Sequence, residues 1–254
     1  MIVTMARYDI IGHGYASTRR EDPQLRARIV DALGAAKSVV NVGAGTGSYE
    51  PQDRYVLAVE PSDVMAAQRA PQLAPALRGD ARCLPLRDAS VDAAMTVLSL
   101  HHWGDDQERG VQELRRVARG PVVIATVDPD VSSEMWLLKD YMPELVELDR
   151  QRLPTPARLA SWLGGTSRTV VVPVSRDTPD WSLMSFWAHP ERVLDAVARG
   201  ATSGFARMHA EVVHRVVTAV ERDLSNQTWH RRHGRLRRLS EYDAGLRLVV
   251  NMPS

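Results

Sequence analysis

The chain has 254 residues, 44% of them hydrophobic and 25% charged, enough for one large α/β unit with a sizeable core. Its 32 basic and 31 acidic residues leave a net charge of +1, so no global field points to nucleic acid or a membrane surface. The single cysteine, Cys83, excludes an internal disulfide and a multi-cysteine metal site, and no apolar run approaches the roughly 20 residues of a membrane span. Tyr8, Asp9, Arg19 and Arg20 interrupt the N-terminus, which therefore lacks a secretory apolar region; a cytoplasmic protein is the default expectation.

In chain order, Asp22-Pro23 predicts a helix start, with Leu25, Ile29, Val30 and Leu33 on one face and a stop at Gly34. Ser38 to Val42 reads as a buried parallel strand. In the loop that follows, Gly43, Gly45 and Gly47 alternate with Ala44 and Thr46, and no bulky side chain returns until Tyr49. Such a loop turns sharply and lets a ligand lie against bare amides. The dinucleotide fingerprint has glycines at its first, third and sixth positions; here the sixth is Ser48 and the third glycine comes early.

Tyr55 to Val59 predicts the second strand, ending at Glu60-Pro61-Ser62. An acid at that tip can accept from both hydroxyls of an adenosine ribose, in a dinucleotide or another adenosyl cofactor alike; its bland reading is a charge at the start of the helix after Ser62. Gly79-Asp80-Ala81 lies where a third strand should end. Val91 to Leu98 predicts a fourth, followed by Ser99-Leu100-His101-His102-Trp103. Gly104-Asp105-Asp106 is expected to cap a helix carrying Val111, Leu114 and Val117, which Gly120-Pro121 stops. Val122 to Val127 predicts the fifth strand, ending at Asp128-Pro129-Asp130. This alternation argues a parallel, doubly wound sheet with right-handed crossovers.

Beyond residue 128 the pattern changes. Ser132 or Ser133 is expected to cap a helix bearing Met135 to Leu138 and Tyr141, and Pro143 to restart it. Thr155-Pro156 begins another, closing at Leu163-Gly164-Gly165. Arg168 to Val174 predicts a sixth strand, residues 180–240 helical insertions, and Leu246 to Val250 a final strand.

The G-x-G-x-G loop resembles motif I of the class I S-adenosylmethionine-dependent methyltransferases. Glu60, Asp80-Ala81 and the Leu98 to Trp103 phrase fall where that family carries its next three signals. Ser185-Phe186-Trp187, Pro190 to Asp195 and Tyr242 to Val249 are similar to the ubiquinone/menaquinone-biosynthesis-like (type 11) group. The resemblance implies a Rossmann-like, seven-stranded, mostly parallel sheet, its last strand antiparallel between the fifth and sixth, with a helical cover inserted before it. It implies one domain over 1–254: an N-terminal cap and first helix (1–36), a cofactor half (37–128) and a substrate half (129–254). The cofactor it implies is S-adenosyl-L-methionine, leaving as S-adenosyl-L-homocysteine. Gly43, Ala44, Gly45, Gly47, Leu98 and Ser99 are expected around the amino-acid end, Glu60, Pro61 and Ser62 at the ribose, and Asp80 and Ala81 at the adenine. Tyr8, Tyr15 and Arg19 are expected to fold over the pocket. Asn41 departs from the family's usual Asp, which removes an acidic side chain near the methionine ammonium.

The chemistry implied is displacement of a sulfonium methyl by a nucleophile, governed by alignment and exclusion of water. His101 and His102 sit at the strand end where a base would serve a hydroxyl or carbon acceptor. With His102, the side chains of Trp103, Asp128, Trp136 and Tyr141 are expected to contact an aromatic or apolar small-molecule acceptor. No metal, nucleic acid or membrane is expected, and the oligomeric state is open. Two alternatives stand beside methylation of a small molecule: a cofactor-binding protein of this fold that cyclises or regulates, and an RNA methyltransferase. The second draws on the basic run from Trp229 to Arg238, which at helical spacing also reads as a solvated face.

Overall fold

The computed structural model describes residues 20–253, so Tyr8, Tyr15 and Arg19 lie outside the described residues. Helix α1 (Pro23–Leu33) is started by Asp22, whose Oδ1 accepts from the amides of Gln24 and Leu25 at 2.9 and 3.0 Å, and stopped by Gly34. Strand β1 (Ser38–Val42) lies in the middle of a sheet flanked by β2 (Tyr55–Val59) and β4 (Ala93–Val97), with β3 (Ala76–Leu77) at one edge and β5 (Val122–Val127) beyond β4. Strand β6 (Thr166–Val171) forms the other edge. Two short strands, β7 (Val174–Ser175) and β8 (Glu241–Tyr242), pair with each other outside this sheet, and β9 (Leu246–Met252) ends the chain's regular structure.

The order is β3-β2-β1-β4-β5-β9-β6. The first five strands run parallel, whereas β9 is antiparallel to both β5 and β6. The expected sheet is therefore present. Its chain order reverses between β1 and β4, the crevice where open α/β sheets collect ligands. Alternating side chains of one strand enter different cores: Val123 and Ala125 pack with α1 on one face, while Val122 and Ile124 pack on the other. That second face is covered by α3 (Gln107–Val117) and α7 (Pro156–Leu163), which follow α2 (Asp63–Ala67) and the intervening helices in the chain.

The cover is built from α4 (Pro129–Ser132), α5 (Trp136–Tyr141), α6 (Pro143–Arg152), α8 (Ala196–Gly200), α9 (Ser203–Ala206), α10 (Ala210–Ser225) and α11 (Thr228–His233), joined by 3-10 turns. It packs on the α1 face, with Trp187 and Trp229 fully buried.

Several boundaries differ from expectation. The third strand is two residues long and stops at Leu77, leaving Gly79-Asp80-Ala81 in the turn beyond it. Gly104-Asp105-Asp106 is a 3-10 turn running directly into α3 without a side-chain cap. Asp128, not Ser132 or Ser133, supplies the cap, accepting from the amide of Asp130 at 3.1 Å, and α5 starts without one. Strand β6 stops before Pro173, which has no amide to donate; the chain then leaves the sheet and resumes pairing as β7 with β8.

Candidate active site

The tips of β1, β2 and β4 surround a cleft of about 530 Å³, within the usual size of a ligand site. Gly43, Ala44 and Gly45 form its floor. Gly43 has φ +69°, and a Cβ there would lie 1.9 Å from Ser99 Oγ, so the loop passes the fourth strand's tip only because this residue has no side chain. Gly47 does not line the cleft; it packs outward against Leu73 and Arg69.

Glu60, buried at the tip of β2, is oriented by backbone: its Oε2 accepts from the Gly45 amide and its Oε1 from that of Ser62, each at 2.8 Å. Pro61 and Ser62 continue the wall, and Ser62 also caps α2 through Met65. Asp80 and Ala81 lie at the rim. Asp80 accepts from the backbone and Nε of Arg82, both at 2.9 Å, and Arg82 reaches on to Asp106 at 3.0 Å. The Arg82 guanidinium holds the Asp80 carboxyl below the usual carboxylate range. At the β4 end, Leu98 adopts φ +51°, a strained conformation for a branched residue, and Ser99 Oγ accepts from the Trp103 indole at 3.1 Å.

Asn41 also faces this cleft. Its Nδ2 donates to Glu50 Oε1 at 3.0 Å, and Glu50 is in turn paired with Arg69 at 2.8 Å. An aspartate at position 41 would place a second carboxylate against Glu50, which accounts for the amide here. Asn41 Oδ1 is buried with no hydrogen-bond partner among the described residues, an acceptor on a cleft-lining residue that suits a ligand ammonium. The donor and acceptor set thus fits an adenosyl amino acid.

A second cavity of about 110 Å³ adjoins the first and shares Tyr49, Leu98 and Asp180 with it. His101 faces this second cavity and His102 the cleft, although their rings are only 3.8 Å apart in one 3-10 turn. Leu25, Leu153, Leu183, Met184 and Leu246 supply apolar wall. The polar wall includes Asp149 and Arg207, which are 2.8 Å apart and both under a tenth exposed. Burial pushes the Asp149 carboxyl up, against the opposing pull of Arg207 and Arg152.

Of the expected acceptor contacts, His102 and Trp103 line the larger cleft and not the second cavity, and Asp128, Trp136 and Tyr141 require correction, because they line neither. Trp136 donates its indole N–H to the Trp187 carbonyl at 2.9 Å and meets Tyr141 and Trp229 edge-on. Tyr141 donates to Asp223 at 2.8 Å. The aromatic cluster is the cover's own core: every cover helix but α10 is short, and the cover must bury large rings to hold together. Asp128 is occupied as a helix cap beside Arg247. Conversely, Tyr49, Asp180, Asp149 and Arg207 line the cavities without being among the expected site residues. Tyr49, the first large residue after the glycines, was the one with a local signal; the others come from segments that only folding brings to the cavity.

Among the described residues no group of three or more His, Cys, Asp or Glu side chains is placed to hold a metal ion. None of their helices is long and apolar enough to cross a membrane.

A family described as a methyltransferase domain matches residues 40–124, the stretch holding the glycine loop, Glu60, Asp80 and both histidines. A methyltransferase assigned to an antibiotic biosynthesis pathway of Anabaena variabilis is 31% identical, with a TM-score of 0.83 over 92% of this chain and 98% of its own. An S-adenosylmethionine-dependent methyltransferase of Thermotoga maritima shares the fold at 16% identity, with a TM-score of 0.51 over 97% of this chain and 93% of its own. The mouse tRNA (carboxymethyluridine(34)-5-O)-methyltransferase ALKBH8 is 28% identical over 116 residues, which are 44% of this chain and 18% of that protein. Matched along nearly all of the Anabaena protein, and with the sheet order and cleft described above, the chain belongs to the class I S-adenosylmethionine-dependent methyltransferases, in the type 11 group.

Proposed function

We propose that the protein transfers a methyl group from S-adenosylmethionine to a small-molecule acceptor held in the second cavity. The observation that carries this reading is the pair of adjoining cavities with a shared wall of Tyr49, Leu98 and Asp180. The larger suits the cofactor in size and lining; the smaller is mostly apolar and touches it at one place. When bound, the cofactor supplies a methyl already activated on a sulfonium.

The chain's residues then bind, align and exclude water. The amino-acid end would lie close against the Gly43 to Gly45 backbone with its ammonium toward Asn41 Oδ1, since the Gly43 and Ala44 amides already donate to the Val59 carbonyl and that of Gly45 to Glu60; Glu60 would hold the ribose, and Asp80 with the Ala81 amide the adenine. Accepting the adenine amine requires Asp80 to share a carboxylate now engaged by Arg82. Tyr49 and Leu98 define the gap through which the acceptor approaches, and alignment of this kind lowers a barrier by about 7–11 kcal/mol. His101, on the acceptor side, is the candidate to take a proton from a hydroxyl or carbon acceptor; His102, on the cofactor side, is less well placed for it.

The basic run supports a small molecule over RNA. Trp229 and Leu236 within it are buried, Arg232 and His233 face Asp140, and Arg237 pairs with Glu191. Two of its five arginines are thereby answered by carboxylates, and its buried residues make it part of the cover's packing rather than a free basic face.

The test is incubation with S-adenosylmethionine and a panel of phenols, amines and polyketide-like acceptors, read as S-adenosylhomocysteine released. Acceptor-dependent release is expected. Tight cofactor binding with no release from any acceptor would favour the binding-only alternative, and release with tRNA alone the RNA one.

A further inference from the structure

We propose that Arg207 selects the acceptor, anchoring a neutral, mostly apolar molecule through one carbonyl-type oxygen; this deepens the methyl-transfer reading and rests on it. Arg207 lines the second cavity from just beyond α9. Its Nε donates to the Ser203 carbonyl at 3.1 Å and its Nη2 to Asp149 Oδ1 at 2.8 Å. Its Nη1 has no hydrogen-bond partner among the described residues, although the side chain is only 7% exposed. Buried guanidinium nitrogens rarely go unanswered, and one left so on a cavity wall marks where a ligand acceptor belongs.

Two of the three nitrogens are already held by the protein, so the third is fixed in place and little ordering is needed on binding. Charge decides which oxygen. Asp149 already answers Arg207, and Asp22 puts a second carboxylate on the same wall, its Oδ2 accepting from Thr178 at 2.5 Å. A carboxylate ligand would add an uncompensated buried negative charge, whereas a ketone, quinone or amide oxygen accepts without changing the balance. The remaining wall is carbon from Leu153, Leu183, Met184 and Leu246, which suits a hydrocarbon skeleton. The volume of about 110 Å³ compares with the roughly 150 Å³ engineered cavity that holds benzene, so a single small ring or short chain is accommodated.

Three probes of similar shape separate the possibilities: acetophenone, cumene, which lacks the oxygen, and benzoate. Their affinities are measured by calorimetry or competition NMR on the full chain, with and without saturating S-adenosylhomocysteine. Acetophenone is expected to bind about tenfold tighter than either of the others. The double variant Asp149→Leu/Arg207→Met replaces the ion pair with carbon of similar volume; it should level acetophenone with cumene and leave S-adenosylhomocysteine affinity unchanged. Acetophenone no tighter than cumene, benzoate the tightest, no binding by any probe, or a double variant that keeps the ketone preference would each overturn the proposal. Should that variant not fold, the ranking on the natural protein decides alone. Absence of S-adenosylhomocysteine binding would instead refute the methyl-transfer reading, and the ketone preference is still read without it.

Discussion

Glu60 is oriented before any ligand arrives, because both its oxygens accept amides of the loops on either side. Glu60→Ala should weaken S-adenosylhomocysteine binding by roughly ten- to a hundredfold through the lost ribose contacts, and calorimetry measures it directly. Unchanged affinity would remove Glu60 from the site. Asp149 leads to a prediction with a definite sign. Its folded-state pKa lies above the unfolded value, so the native state holds the proton more firmly. That contribution is present at low pH and lost as pH rises through the folded value. In urea melts from about pH 4 to 7, natural protein should therefore lose stability relative to Asp149→Asn as pH rises, whichever is the more stable at the start. A flat or opposite trend would refute the assigned burial. At this scale the placement of Gly43, Gly45, Glu60 and Asp80 on the cleft was legible because it follows from the strand ends, whereas Gly47 packs away from it. Trp136 and Tyr141 were misjudged because an aromatic on a helix reads the same whether it faces a core or a pocket.

At the scale of elements, the cover is held together by rings rather than by helix propensity. Trp229 on α11 is fully buried, meets Trp136 edge-on at 5.5 Å and lies under the Arg237 guanidinium at 5.2 Å. Trp229→Ala should cost about 3–5 kcal/mol, read as a lowered urea midpoint, because such short helices cannot close over the void. A loss below about 1 kcal/mol would mean the cover reorganises freely. Helix starts at Asp22, Ser62 and Thr155 were legible, since each side chain satisfies amides two or three residues on. The caps expected of Ser132 or Ser133 were not found, because Asp128 had already started a turn upstream. Pairing of β7 with β8 was invisible for a different reason: the partners are more than sixty residues apart.

For the molecule as a whole, the last strand closes the sheet. Strand β9 pairs with β5 on one side and β6 on the other, and nearly all its residues are buried. Removing residues 246–254 should expose the β5 edge, leave β6 with no neighbour and abolish cooperative unfolding in circular dichroism melts; removing only residues 253–254 should not. A cooperative transition in the longer deletion would show that β9 merely decorates the sheet. Local order along the chain determined the alternation of strand and helix, the turn at Gly43 and the acid at Glu60, since these depend on neighbours within a few residues. Which histidine faces the larger cleft and which the second cavity, why Asn41 stands beside Glu50, and that Arg207 ends on the wall of the second cavity were decided by tertiary structure alone. Those facts depend on segments distant in sequence packing to one density, and no local pattern records where such segments meet.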